Sequence, residues 1–145
     1  MPVMDVLAGS TGFDVVLSVL VGGPKVIDVH RASAQSALKL AYGRGRPRPL
    51  FRSGAPKILL SGLPRAPLVR LYKDRAAEIA AHGMGSTWAD FRAYLSRVRK
   101  QAFYFSIGEL EAGIGAAVVP VFNRDGEMVA AMALVAVEAR ITGVP

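Results

Sequence analysis

Residues 49–64 read PLFRSGAPKILLSGLP, and Ser53, Gly54 and Ala55 stand where a proline-rich loop passes into an apolar run with helical character. The first amides of a helix have no intrahelical partners and lie at the positive end of its dipole. A junction of small residues therefore offers N–H groups to a carboxylate or another acceptor oxygen. The competing reading needs no ligand: Ser53 caps the helix and Pro56 fills its first turn. Pro56 has no N–H, so it removes one possible donor.

Other spacings that resemble chemistry carry less. Ser36 and Lys39 have a Ser-x-x-Lys spacing, but an extended segment puts residues three apart on opposite faces, and the companion motifs are missing. Glu109 and Glu111 are a pair of carboxylates in a glycine-bounded stretch with no nucleophile nearby in sequence. GIGAAV, from Gly113, lacks the third glycine of a dinucleotide fingerprint and leads into a strand. With no Cys, and His30 and His82 the only imidazoles, neither a disulfide nor a metal centre is expected. No cofactor and no catalytic residue is assigned.

At 145 residues and 52% hydrophobic, the chain has the size of one domain with a real core. Asp5 and Asp14 stand where a signal peptide would be basic, and no apolar run reaches the roughly 18 residues of a membrane span. A cytoplasmic protein without membrane contact is expected. The net charge of +7 is concentrated: ten of the eighteen basic residues, Lys57 among them, lie between Lys39 and Arg75, with Asp74 the one acid in that span. Such a belt can neutralise phosphates. It has no aromatic stacking pattern and no groove-reading motif, so it reads as a solvated surface.

The elements that must position the junction follow from periodicity. FDVVLSVL (13–20) and KVIDVHR (25–31), joined by VGGP, read as a hairpin. QSALKLAY (35–42) alternates like a half-buried strand, and GRGRPRP (43–49) reads as a loop. Helices are expected over 55–62 and within 66–82, the second stopped by Gly83 and Gly85. STWADFRAYLSRVRKQ (86–101) is the clearest helix: Thr87 can cap it, and Trp88, Phe91, Leu95 and Val98 form a core-facing stripe. FYFS, AAVVPVF and MVAAMALVAV read as strands, the last two joined by the Asp-Gly turn of NRDG. The order predicts an α+β fold with an antiparallel sheet of about six strands and helices gathered to one side or end.

PLFRSGAPKILLSGLP resembles Pro-Leu-His-Ala-Thr-Ala-Ser-Gly-Lys-Ala-Leu-Leu-Ala, which opens the central helix of the C-terminal domain of IclR-family bacterial transcriptional regulators. QAFYFSIGELEAGIGAAVVPVFNRDGEMVAAMALVAVEARIT, from Gln101, resembles the family's last third in the order of its glycines, its Ala-Ala-Pro-Val-Phe-Asp and its Ala-rich final strand. The resemblance runs nearly end to end. It implies a GAF-like effector-binding domain over 1–145, a small-molecule effector, self-association as dimer or tetramer, and operator DNA bound only through an N-terminal winged helix-turn-helix domain. Nothing in these residues resembles that DNA-binding half, so an effector domain from a longer regulator is expected.

The same resemblance implies the site. The residues matching Gly54 and Ala55 give backbone N–H bonds to the effector, beside Ser53, with Leu50 as an apolar lid. The positions contacting small keto acids fall on Ser106, Ala116, Ala133 and Val135. Of these four only Ser106 is polar, so an acid more hydrophobic or aromatic than pyruvate or glyoxylate is expected. Pro56 replaces a usual Gly, while Arg52 and Ala55 replace small polar residues. An oligomerisation module without a working pocket is the alternative, and a small-molecule enzyme a distant third.

Overall fold

The computed structural model describes residues 2–22, 24–32, 47–108 and 113–137. Helix α1 (Pro2–Thr11) precedes strands β1 (Asp14–Val21), β2 (Lys25–Ala32) and β3 (Pro47–Arg48). Helices α2 (Gly54–Ser61), α3 (Arg65–Ala81) and α4 (Trp88–Gln101) follow, then strands β4 (Tyr104–Ile107), β5 (Ile114–Phe122) and β6 (Met128–Val137). The six strands form one sheet in the order β3-β2-β1-β6-β5-β4, every neighbouring pair antiparallel. The two predicted hairpins thus join along β1 and β6, where Val16 pairs with Ala133 and Asp14 with Val135.

Strand alternation gives the sheet two apolar faces. On one, Val16, Val118, Ala133 and Val135 pack with Ile58 and Leu59 of α2, Leu71 of α3 and Phe91, Leu95 and Val98 of α4. On the other, Val15 and Ala32 meet Met4 and Ala8 of α1. Helix α4 begins as expected, with the Asp90 N–H donating to Thr87 Oγ1 at 3.1 Å, and it ends at Ala102 in the left-handed conformation.

Three expectations need revision. The helices do not gather on one side, because α1, unforeseen in the sequence, covers the opposite face. Pro47 and Arg48 are not wholly loop: they pair with Ile27 and Val26 as a two-residue edge strand, a position where proline's missing donor is tolerated. Lys57, counted in the solvated belt, is buried. The strand expected over 35–42 lies outside the described residues, as do Lys39, Arg44 and Arg46 of the belt.

One irregularity bears on the site. Along β2, His30 pairs with Leu17 and Asp28 with Ser18, leaving Val29 as a bulge. Residues three apart in a regular strand face opposite ways, but the bulge puts Asp28 and Arg31 on the same face, towards α2.

Candidate functional site

The N-terminus of α2 is seated directly on the sheet. A Cβ built on Gly54 would stand 2.8 Å from Val118 Cγ2 and 2.9 Å from Tyr104 Cδ1, so only glycine permits this approach. Ser53, at the N-cap, has φ 69° and ψ 175°, a region that non-glycine residues rarely enter. Its side chain does not cap the helix, which removes the structural reading of that serine. The strained turn instead brings Ser53 and the start of α2 to the wall of a cavity.

Strand register builds the opposite wall. Ser106 pairs with Ala116, Ala116 with Val135, and Val118 with Ala133, so neighbouring strands present these side chains to one face. Together with Ser53, Gly54 and Ala55 they enclose a slot whose free space, mouth included, is about 420 Å³, of which about 30 Å³ accepts the centre of a water-sized sphere. Seven of the eight residues singled out above line it. The eighth, Leu50, is buried in the main core and is not part of this wall.

Two polar groups of the site were missed. Asp28 lines the slot, 7% exposed, and accepts a 2.6 Å hydrogen bond on Oδ1 from the Ser18 hydroxyl. Beside them the Arg31 guanidinium donates to the buried Asp14 carboxylate. Just behind the α2 N-terminus, Lys57 Nζ donates to the Tyr104 hydroxyl at 2.8 Å and lies 4.9 Å from the centre of that ring. Burial pushes the Tyr104 phenol well above its usual pKa, and the lysine opposes that shift only in part.

This arrangement offers donors and an acceptor beside apolar walls, and it does not assemble catalytic chemistry among the described residues. The Gly54 and Ala55 amides and the Ser106 hydroxyl can donate, Asp28 can accept, and alanines and valines fill the rest. His30 pairs with Leu17 on the α1 side of the sheet, and His82 contacts the Glu78 carbonyl at the end of α3. Ser36, Lys39, Glu109 and Glu111 lie outside the described residues. No group of three or more metal-ligating side chains occurs among the described residues. None of the helices described is long and apolar enough to cross a membrane. A larger depression, about 1090 Å³ of free space with its mouth included, lies between the β1–β2 turn and α3, lined by Leu20, Leu63, Leu71 and Arg70 among others. It is the more open of the two, and it borders the first turn of α3.

The family model for the C-terminal region of the bacterial transcriptional regulator IclR matches residues 1–144. An IclR-family transcriptional regulator from Rhodococcus sp. is 28% identical, with a TM-score of 0.77 over 97% of this chain; the match covers 52% of that regulator, about half its length. The transcriptional regulator YaiJ is 19% identical, with a TM-score of 0.80 over 99% of this chain and 81% of its own. The inducer-binding domain of the PobR transcription factor from Acinetobacter, a double mutant in complex with 3-hydroxybenzoic acid, is 24% identical, with a TM-score of 0.68 over 94% of this chain and 79% of its own. Among curated proteins none matches. The matching proteins are transcriptional regulators, not enzymes.

Proposed function

The chain belongs to the IclR family of bacterial transcriptional regulators, as a C-terminal effector-binding domain, and from that premise we propose that it senses a small organic acid in the slot beneath the α2 N-terminus. The observation that carries this reading is the convergence of the strained Ser53, the close-packed Gly54 and the Ser106–Ala116–Val135 row on one cavity. The acid's oxygens accept from the Gly54 and Ala55 amides, where the helix dipole favours negative charge. Its body lies against Val16, Ala116, Ala133 and Val135.

Those walls favour an aromatic or alkyl acid over pyruvate or glyoxylate, whose remaining oxygens would be buried against carbon at a cost of about 1–3 kcal/mol each. The PobR inducer-binding domain, of similar fold, holds 3-hydroxybenzoic acid as a double mutant, which supports the same class. Ligand occupancy would be read out by a winged helix-turn-helix half of a longer, cytoplasmic regulator, the part that meets operator DNA.

Calorimetric titration with phenylacetate, benzoate, pyruvate and glyoxylate tests the proposal. Binding of the aromatic acids at least tenfold tighter than the keto acids is expected. Tighter binding of the keto acids would overturn the preference, and heat from none of the four would favour the alternative of an oligomerisation module without a working pocket.

A further inference from the structure

The depression between the β1–β2 turn and α3 has no part in the acid-sensing slot, and the two share no lining residue. Its free space, about 1090 Å³ with the mouth included, is more than twice the 420 Å³ of the slot. The floor is apolar: Leu71 belongs to the main core, and Leu20 and Leu63 pack against that core while staying partly exposed. Pro24 stands in the wall from the turn and Pro67 in the wall from α3. Proline has a fixed φ, so both walls are set before a ligand arrives, which lowers the ordering cost of binding. At Gly22 an added Cβ would meet nothing within 4 Å, so that part of the rim is open.

The charges on the α3 side fall into two groups. Arg75 lines the depression, but its guanidinium donates to both oxygens of the Glu78 carboxylate, at 2.8 and 2.6 Å, and lies 4.9 Å from the centre of the Phe51 ring. Its charge is already matched. Pro67, Arg70, Leu71 and Asp74 recur at three and four residues, so they share one face of α3, and all four line the depression. Arg70 and Asp74 form no hydrogen bond or ion pair with each other or with any other described residue. An arginine four residues before an acid is the weaker order for such a pair, so little draws the two together. A cation and an anion, each without a partner among the described residues, thus stand one turn apart beside an apolar floor.

We propose that the depression is a second binding site, for a free α-amino acid with a bulky apolar side chain, such as leucine. The ligand's carboxylate accepts from the Arg70 guanidinium, its ammonium group donates to the Asp74 carboxylate, and its side chain covers Leu20, Leu63 and Leu71. A plain acid would match Arg70 and meet a like charge at Asp74; a plain amine would do the reverse. A zwitterion complements both charges. The apolar floor then selects for side-chain size, because each buried methylene adds about 0.8 kcal/mol. This site and the acid-binding slot stand on different residues, so either can fail without the other.

The test is amide-resolved nuclear magnetic resonance of the labelled chain, titrated separately with L-leucine, leucinamide, N-acetyl-leucine and L-alanine. Leucine is expected to give saturable shifts at Leu20, Leu63 and Leu71 while Gly54 and Ala55 stay unmoved. Read at those three leucines, alanine should bind at least tenfold more weakly, for want of apolar contact. Leucinamide and N-acetyl-leucine, each lacking one charge, should bind about fivefold more weakly, the scale of one solvent-exposed ion pair. Arg70 and Asp74 are exposed, so Arg70→Gln and Asp74→Asn leave the core untouched. Arg70→Gln should abolish the preference for leucine over leucinamide, and Asp74→Asn the preference for leucine over N-acetyl-leucine. Absence of saturable leucine shifts in the depression would overturn the proposal. So would equal binding there of leucine and leucinamide by the wild type, or leucine affinity that neither substitution changes.

Discussion

Gly54 stands so close to Tyr104 that the smallest side chain would put a carbon 2.9 Å from the ring atom Cδ1. The helix start is thus held against the sheet by a contact that only glycine allows, with Val118 Cγ2 crowding the same point at 2.8 Å. Gly54→Ala must push α2 away from β4 and β5. Overpacking of this kind costs about 1–3 kcal/mol, and the shift moves both amides proposed to hold the acid. Urea denaturation should give a lower midpoint, and calorimetry weaker binding of phenylacetate. An unchanged midpoint with unchanged affinity would mean that the contact is soft and does not position the site.

The bond from Lys57 to the Tyr104 hydroxyl ties the same helix turn to the same strand. Tyr104→Phe removes the acceptor of a buried ammonium group and should cost about 1–3 kcal/mol near pH 8. The pH dependence has a definite sign. Burial raises the folded-state pKa of Tyr104 above the unfolded value near 10, so its contribution is fully present below about pH 10 and is lost as pH rises towards the folded-state value. Urea midpoints for wild type and Tyr104→Phe, compared at pH 8 and pH 11, should therefore converge at the higher pH. A gap that widens with pH would contradict the assignment.

Ala116 is only half-buried, paired with both Ser106 and Val135 in the cavity wall. Ala116→Leu adds three carbons that can extend into the slot. Thermal stability should stay the same or rise, because apolar area is buried, while phenylacetate affinity should fall at least tenfold. Undiminished binding would place the ligand elsewhere.

On the face away from α2, Phe105, Ile107 and Val119 of β4 and β5 remain 37–44% exposed, beyond the reach of α1, which packs on β1 and β2. Adjacent exposed apolar residues at a sheet edge favour self-association. Light scattering at high concentration should give a mass above the monomer, and Phe105→Lys should lower it. A strictly monomeric wild type would contradict this.

The sequence was most legible where one local rule decided the outcome. Thr87 and the Trp88, Phe91, Leu95, Val98 stripe identified α4, and the Asp-Gly turn identified the β5–β6 hairpin. The junction at Ser53 was legible as a helix start, and period-2 alternation put Ala133 and Val135 on one face. That Ser106, Ala116 and Val135 form a row depends on interstrand register, which no local pattern reveals. Asp28 was missed because a lone acid in a β-branched strand reads as solvent-facing and because the Val29 bulge breaks the alternation. Lys57 was missed because an isolated lysine reads as surface, and its burial needs Tyr104, forty-seven residues away. Helix α1 is short and exposes Val3 and Val6, so its apolar residues trace no single stripe; Pro2 at its first position was the available signal.

The central claim is that the acid is held by the first amides of α2. Amide-resolved nuclear magnetic resonance of the labelled chain, titrated with 4-hydroxyphenylacetate, addresses it directly. The Gly54 and Ala55 N–H signals should move together, saturate along one binding curve, and shift downfield as expected for amides donating to a carboxylate, with Ser106 following. Saturable shifts confined to the depression around Leu20, Leu71 and Arg70, with Gly54 and Ala55 unmoved, would contradict the account.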